Sequence, residues 1–147
     1  MTTTEGATGY QELADRAELT NLVAKQGYWL DEQRFDEIGS VFAENASAHT
    51  PGGQALGLEA MAAQARRNHE RFEHTQHVTT NIQIDLDGDH AVVRANQVAT
   101  YVEHALHPTS TVGTRVRYEA VRTPEGWRFS RFEINPLWSV TWPTAQG

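Results

Sequence analysis

The hydrophobic period of this chain changes once, just past residue 72, and that change constrains the fold more than anything else in the sequence. Before it, apolar residues recur at helical spacing; after it, they alternate with polar ones. Over residues 10–30, Leu19, Leu22, Val23 and Leu30 form one stripe, and Gln26 falls on it. A second short helix fits 34–44, with Phe35, Ile38, Val41 and Phe42 on one side. PGG at 51–53 signals a turn between short segments at 46–50 and 54–56. A third helix fits 58–72, its stripe formed by Leu58, Met61, Ala62, Ala65, His69 and Phe72.

The second half reads as a meander. Val78, Ile82, Ile84 and Leu86 alternate with polar residues, and DGD at 87–89 is a hairpin signal. The return strand runs over 91–104, and HPTS at 107–110 makes the next connection. Val112, Thr114, Val116, Tyr118 and Ala120 alternate in turn, PEG at 124–126 reverses the chain, and 127–135 closes the sheet. Residues 1–9 lack periodicity and read as a mobile tail, leaving 10–142 as one domain. Helices followed by antiparallel strands predict an α+β fold, three N-terminal helices on one face of a curved sheet. Such a sheet tends to enclose a conical cavity, where polar residues at inward positions carry the interest.

Composition narrows the function. A net charge of −7 argues against nucleic acid as a partner, despite small arginine groups at Arg66, Arg67 and Arg71 and at Arg115, Arg117 and Arg122. The chain has no cysteine, which excludes thiolate catalysis, disulfides and cysteine-ligated metal. No apolar run reaches the roughly 18 residues of a membrane span, and the opening MTTTEGATG lacks a basic start, so a cytoplasmic protein is expected. Nucleophile elbows, phosphate-binding glycine loops and dinucleotide fingerprints are missing from the sequence.

Proton transfer is the chemistry that remains open. HERFEHTQHVTTN at 69–81 holds three histidines where helix gives way to strand. Their spacing matches no metal-binding motif, and neither a metal nor a cofactor is expected. His69 lies on the third helix's apolar stripe, where it caps carbonyls or packs at a rim; His74 falls in a connection. His77 sits with Thr79, Asn81, Gln83 and Asp85 on the polar positions of its strand, a face that is either solvent or the start of a polar cavity. His104, with Asn96 and Thr100, raises the same question one strand later. Gln26 is either a core amide or a pocket group. Asp31 closes YWLD at the end of the first helix, where the helix dipole disfavours a carboxylate. Tyr28, three residues earlier, can share its side.

The run ELTNLVAKQGYWLDEQRFDEIGSVFAENASAH, then GLEAMAAQ, HTQHVTTN, the DGD hairpin and EGWRFSRFEI, resembles the SnoaL-like branch of the nuclear transport factor 2-like superfamily. The resemblance covers residues 12–138 and implies a cone-shaped α+β barrel. Families of this pattern include dehydratases, dehydrochlorinases, isomerases and polyketide cyclases, as well as domains without catalysis. The lyases among them use an Asp–His dyad, and Asp31 and His77 match its two positions. The resemblance therefore implies that His77 faces the cavity as general base, oriented by Asp31, with Tyr28, Gln26, His104, Asn135 and Trp138 as substrate-binding candidates. It implies an apolar, polyketide-derived or polycyclic substrate, cofactor-free elimination, isomerisation or ring closure, and a homodimer through the outer sheet face. Two alternatives stand beside it: a non-catalytic ligand-binding or dimerising module, and an epoxide-opening hydrolase or cyclase.

Overall fold

The computed structural model describes residues 2–143, with side chains from residue 9 onward. Helix α1 (Thr2–Asp31) buries Leu19, Leu22, Val23 and Gln26 along the expected stripe. Of the stretch read as a tail, residue 1 lies outside the described residues. Residues 2–9 form the first turns of α1, since propagating a helix adds one hydrogen bond per residue without requiring an apolar stripe.

The C-terminus of α1 is closed by a Schellman-type cap. The Arg34 N–H donates to the Trp29 carbonyl (2.9 Å) and the Gln33 N–H to that of Leu30 (3.1 Å). Gln33 takes the left-handed conformation (φ 53°) that ends the helix, a position where glycine would be unstrained. Its side-chain amide donates to the Phe72 carbonyl (3.3 Å) and ties the helix end to the next layer. Asp31 is thereby fixed against the sheet.

The second predicted helix is shorter than its pattern suggested. Only a 3-10 segment, Phe35–Ser40, forms, and Phe42 already opens strand β1 (Phe42–Thr50). Phe35 and Ile38 are buried from the short helical turn, while Val41 and Phe42 reach the same core from extended backbone. Strand β2 (Gly53–Leu56) returns antiparallel to β1 across the predicted PGG turn. Helix α2 (Leu58–His69) follows, three residues shorter at its end than the pattern.

Four long strands complete the chain: β3 (His74–Asp87), β4 (His90–His104), β5 (His107–Thr123) and β6 (Gly126–Thr141). The six-stranded sheet has the order β2-β1-β6-β5-β4-β3, antiparallel except between β1 and β6. It is curved but not closed, so the expected barrel is an open cone with β2 and β3 as its edges. The connection placed at 107–110 falls earlier, at Ala105 and Leu106, both with positive φ as a two-residue hairpin turn requires.

The inner face of the sheet carries the core. Tyr118 stacks between Phe129 (centroids 4.1 Å apart) and Phe132 (5.0 Å), and Trp29 meets Phe42 edge-on at 5.6 Å. Each fully buried side chain of this size contributes about 1.5–3 kcal/mol. At the narrow end Asp15 of α1 accepts hydrogen bonds from Arg122 and from the buried Trp127 indole, which closes the cone.

One irregularity in β3 decides the site. The burial pattern of the strand alternates, slips by one residue at Thr80–Asn81, and alternates again in the opposite phase. The pairing with β4 shifts at the same place, and Asn81 adopts φ 57°. This is a β-bulge: one extra residue reverses which parity faces inward. Ile82, Ile84 and Leu86 pack on the core as expected, but before the bulge Thr75, His77 and Thr79 face the same side and Val78 is exposed.

Candidate functional site

The wide end of the cone holds a cavity of about 450 Å³, bounded by α1, α2 and the inner faces of β1 and β3–β6. Its lining is mainly apolar, with Leu30, Phe42, Met61, Ala99, Phe132 and Ile134 prominent. Against this surface stand a few polar groups at defined places.

Asp31 and His77 form the central pair. His77 Nδ1 lies 2.6 Å from Asp31 Oδ1, with the histidine side chain 3% exposed and the aspartate 17%. The same carboxylate accepts from the Thr75 hydroxyl (2.9 Å) and from the His77 backbone N–H (2.9 Å). With its Nδ1 proton directed to Asp31, neutral His77 carries its lone pair on Nε2, the nitrogen left for the cavity. The pair exists because the cap stops α1 at Asp31 and the Asn81 bulge turns His77 inward.

Two aromatic groups close around the dyad. Tyr101 of β4 lies with its ring centroid 6.1 Å from that of His77 and packs on Phe72 at 4.9 Å. Burial, reinforced by the nearby Asp31 charge, pushes its phenol pKa up, so Tyr101 stays a hydrogen-bond donor at neutral pH. His69, at the end of α2, lies 5.3 Å from the His77 ring. Its Nδ1 is bonded to the Ala65 carbonyl (2.8 Å), and Nε2 is buried without a hydrogen-bond partner among the described residues. Burial pushes the His69 pKa down to about 4, so the ring is neutral near pH 7. Of the expected alternatives, a carbonyl contact or a rim position, the ring makes the first, bonding a carbonyl of its own helix, and it lines the cavity as a buried group beside His77.

Deeper in, Gln26 is fully buried. Its Oε1 accepts from the Tyr118 hydroxyl (3.2 Å) and lies 3.5 Å from the Gln97 amide, which donates to Thr79 (3.1 Å). Gln26 is thus both a core amide with a bonded oxygen and part of the cavity wall.

The remaining expected binding residues lie elsewhere. Tyr28 is 65% exposed: at 100° per residue it falls opposite the stripe through Gln26 and Leu30. The His104 side chain is 88% exposed, at the outer end of β4 near Glu73. Asn135 pairs with Arg115 and lines a separate polar depression on the outer face with Asn81, Arg94 and Glu133. Trp138 follows a register shift in β6 that separates it from the inward Pro136; its ring covers Gly113, where a Cβ would collide with it. The sequence pattern passed over Thr75, Trp29, Gln97 and Tyr101. Tyr101 carried a signal, since it shares the parity of Ala91, Val93, Ala95 and Ala99 on β4.

Among the described residues no group of three or more His, Asp or Glu side chains is arranged to hold a metal ion, and no helix is long and apolar enough to cross a membrane. The molecule is an open α+β cone with a shielded Asp–His pair facing an apolar cavity. Residues 11–133 match the SnoaL-like domain, and the chain belongs to that family. No curated protein matches the chain. Solved structures place its fold among NTF2-like proteins. An NTF2-like protein with a cystatin-like fold from Novosphingobium aromaticivorans superposes with a TM-score of 0.83 at 25% identity, covering 91% of this chain and 89% of that one. A scytalone dehydratase-like protein of the same species gives 0.81 at 20% identity, with 91% of each chain covered. A type 2 hexachlorocyclohexane dehydrochlorinase gives 0.81 at 16% identity, covering 95% of this chain and 96% of the other. The fold is thus shared with dehydratase and dehydrochlorinase enzymes.

Proposed function

We propose that this protein is a small-molecule lyase or isomerase that moves a proton without a cofactor, with His77 as general base and Asp31 as its orienting partner. The observation that carries the reading is the 2.6 Å contact between Asp31 and His77 Nδ1, in a histidine whose side chain is shielded from bulk water at the cavity wall. His77 Nε2 takes a proton from an acidic C–H, and Asp31 stabilises the imidazolium that forms. The electron pair of the broken C–H bond becomes a new C=C bond and expels a leaving group, or moves onto a carbonyl oxygen. The Tyr101 phenol supplies a hydrogen bond to the departing or carbonyl oxygen, and Gln26 contributes to binding from the cavity floor. The substrate is a mainly apolar molecule, polycyclic or polyketide-derived, and the outcome is dehydration, isomerisation or ring closure.

The test is a screen of the purified protein against hydroxylated and halogenated polycyclic compounds. Product formation and loss of the substrate C–H into deuterated solvent are followed by NMR. His77→Ala is expected to lower kcat/KM by roughly 10²–10⁴ on any substrate found. Full activity in His77→Ala sinks the reading. Tight binding without turnover across the panel favours a ligand carrier instead.

A further inference from the structure

We infer that the cavity takes an apolar molecule bearing a carboxylate, and that Arg71 at its mouth binds that carboxylate and sets the direction in which the molecule enters. This rests on the cavity being the substrate site and deepens that reading by naming a substrate class.

Arg71 lines the cavity and, among the described residues, carries the only permanent charge of its lining; the other described lining side chains are apolar, uncharged polar or histidine. Five of the other ten arginines have carboxylate partners among the described residues, Arg34 with Glu32 being one. Arg66 pairs with Asp36, Arg117 with Glu119, Arg122 with Asp15, and Arg131 with Glu133. Arg71 has no carboxylate within 4.0 Å among the described residues, although Glu70 and Glu73 flank it in sequence. Its guanidinium instead lies over the Phe72 ring, 4.5 Å from the centroid, and its N–H donors have no hydrogen-bond partner among the described residues. Arginine offers those donors in a planar fork that matches a carboxylate.

The wall beyond Arg71 gives the direction. Arg71 stacks on Phe72, Phe72 on Tyr101 at 4.9 Å, and Tyr101 meets His77 at 6.1 Å. A molecule anchored by its carboxylate at Arg71 lays its apolar body along Phe72 and Tyr101 and brings its far end to His77. Thr50, Asn68 and Ser110, which also line the cavity, add uncharged polar groups beside this wall. In a chain of net charge −7, a cation that has no carboxylate partner among the described residues, at the mouth of an apolar cavity, selects for this class over other anions that lack an apolar body.

The experiment compares 2-naphthoate with naphthalene-2-carboxamide, a neutral molecule of nearly the same shape, by calorimetry and by quenching of tryptophan fluorescence. Wild-type protein is expected to bind the carboxylate about ten-fold more tightly, the size of one charge-assisted contact at a partly solvated site. Arg71→Gln is expected to remove that preference and leave carboxamide binding within about two-fold. Arg71→Lys should keep part of it, and rising salt should weaken only the carboxylate. Equal binding of both probes, a preference that survives Arg71→Gln, or no saturable naphthoate binding at millimolar concentration overturns the inference. The result is separable from the dyad: a preference that persists beside a fully active His77→Ala leaves Arg71 standing and the base reading fallen. A lost preference beside an inactive His77→Ala does the reverse.

Discussion

Helix α1 carries two carboxylates that face the sheet, the buried Asp15 and the half-buried Asp31, and their surroundings send them to different work. Asp15 accepts a two-pronged contact from Arg122 (2.8 and 2.9 Å), the Trp127 indole N–H (3.0 Å) and the Gln11 amide (2.9 Å). The Arg122 guanidinium holds its carboxyl well below the usual range, against the opposing effect of burial. Every partner there is a permanent donor, so Asp15 has no protonation event to couple to. Asp31 accepts from a hydroxyl, a backbone N–H and an imidazole. One of those donors is an imidazole, which has a second nitrogen left for the cavity. A carboxylate satisfied by a permanent cation is a structural joint, whereas one satisfied by a histidine can feed charge into a reaction.

Asp31→Asn tests this most strongly. The amide keeps shape but can donate to His77 Nδ1, favouring the tautomer with its proton on Nε2, which cannot act as base. A loss of about 10³–10⁴ in kcat is expected on a turned-over substrate, with the folded state retained by circular dichroism. Asp15→Leu should give the opposite profile. It leaves the Trp127 N–H buried without an acceptor, which costs about 1–3 kcal/mol and lowers Tm by several degrees. Activity per folded molecule should stay within about two-fold. If Asp15→Leu abolished turnover at unchanged Tm, the division between the two carboxylates would be wrong.

A smaller effect comes from His69, which shares the wide end with the dyad. Its pKa is about 4 in the folded chain, against an ordinary value of 6.5. The unfolded chain therefore takes up this proton first as pH falls. Between pH 6.5 and 4 the folded state loses stability, and above that window the ring is neutral in both states. His77, Asp31, Tyr101 and Arg71 are the charged or titratable groups acting on it, with desolvation the largest influence. His69→Gln should flatten the fall in stability on acidification, by about 1–2 kcal/mol at pH 5 relative to the wild type, read from the Tm of the two proteins across pH. Parallel Tm curves for the two proteins would show that His69 does not titrate in this way.

The layout of helices and strands was legible because its signals are local. The stripe through Leu19, Leu22 and Val23 announced α1, and DGD and PEG announced their hairpins. Asp31 stood out because a carboxylate at a helix C-terminus opposes the dipole. What periodicity could not supply was the face of His77. Plain alternation grouped it with Asn81, Gln83 and Asp85, and only the family resemblance pointed it inward. The bulge that resolves this lies at a single residue with no apolar signature. The resemblance put Trp138 beside the cavity, whereas the slip between Pro136 and Trp138, which no local signal announces, turns it to the outer face. Tyr101 was legible in parity and passed over, while His104 drew attention as a histidine at a position the strand leaves in solvent.

Asn81 is therefore where the comparison can be sharpened with the smallest change. At φ 57° its backbone is left-handed, a conformation that asparagine tolerates, glycine adopts freely and β-branched residues resist by about 1–2 kcal/mol. Asn81→Gly should leave both stability and turnover within about two-fold, because the bulge needs the conformation and not the amide. Asn81→Val should lower stability by about 1 kcal/mol, and its larger consequence should be positional: a bulge shifted along β3 moves His77 relative to Asp31 while Asp15 and Arg122 stay joined. The nitrogen-15 and proton shifts of the His77 imidazole report this directly. If Asn81→Val changes them while the Trp127 indole N–H resonance stays put, the bulge holds the chemical carboxylate's partner and not the structural one's. Equal disturbance of both signals would mean that the two ends of α1 are coupled through the sheet, and that Asp15 and Asp31 are not separable in the way their contacts indicate.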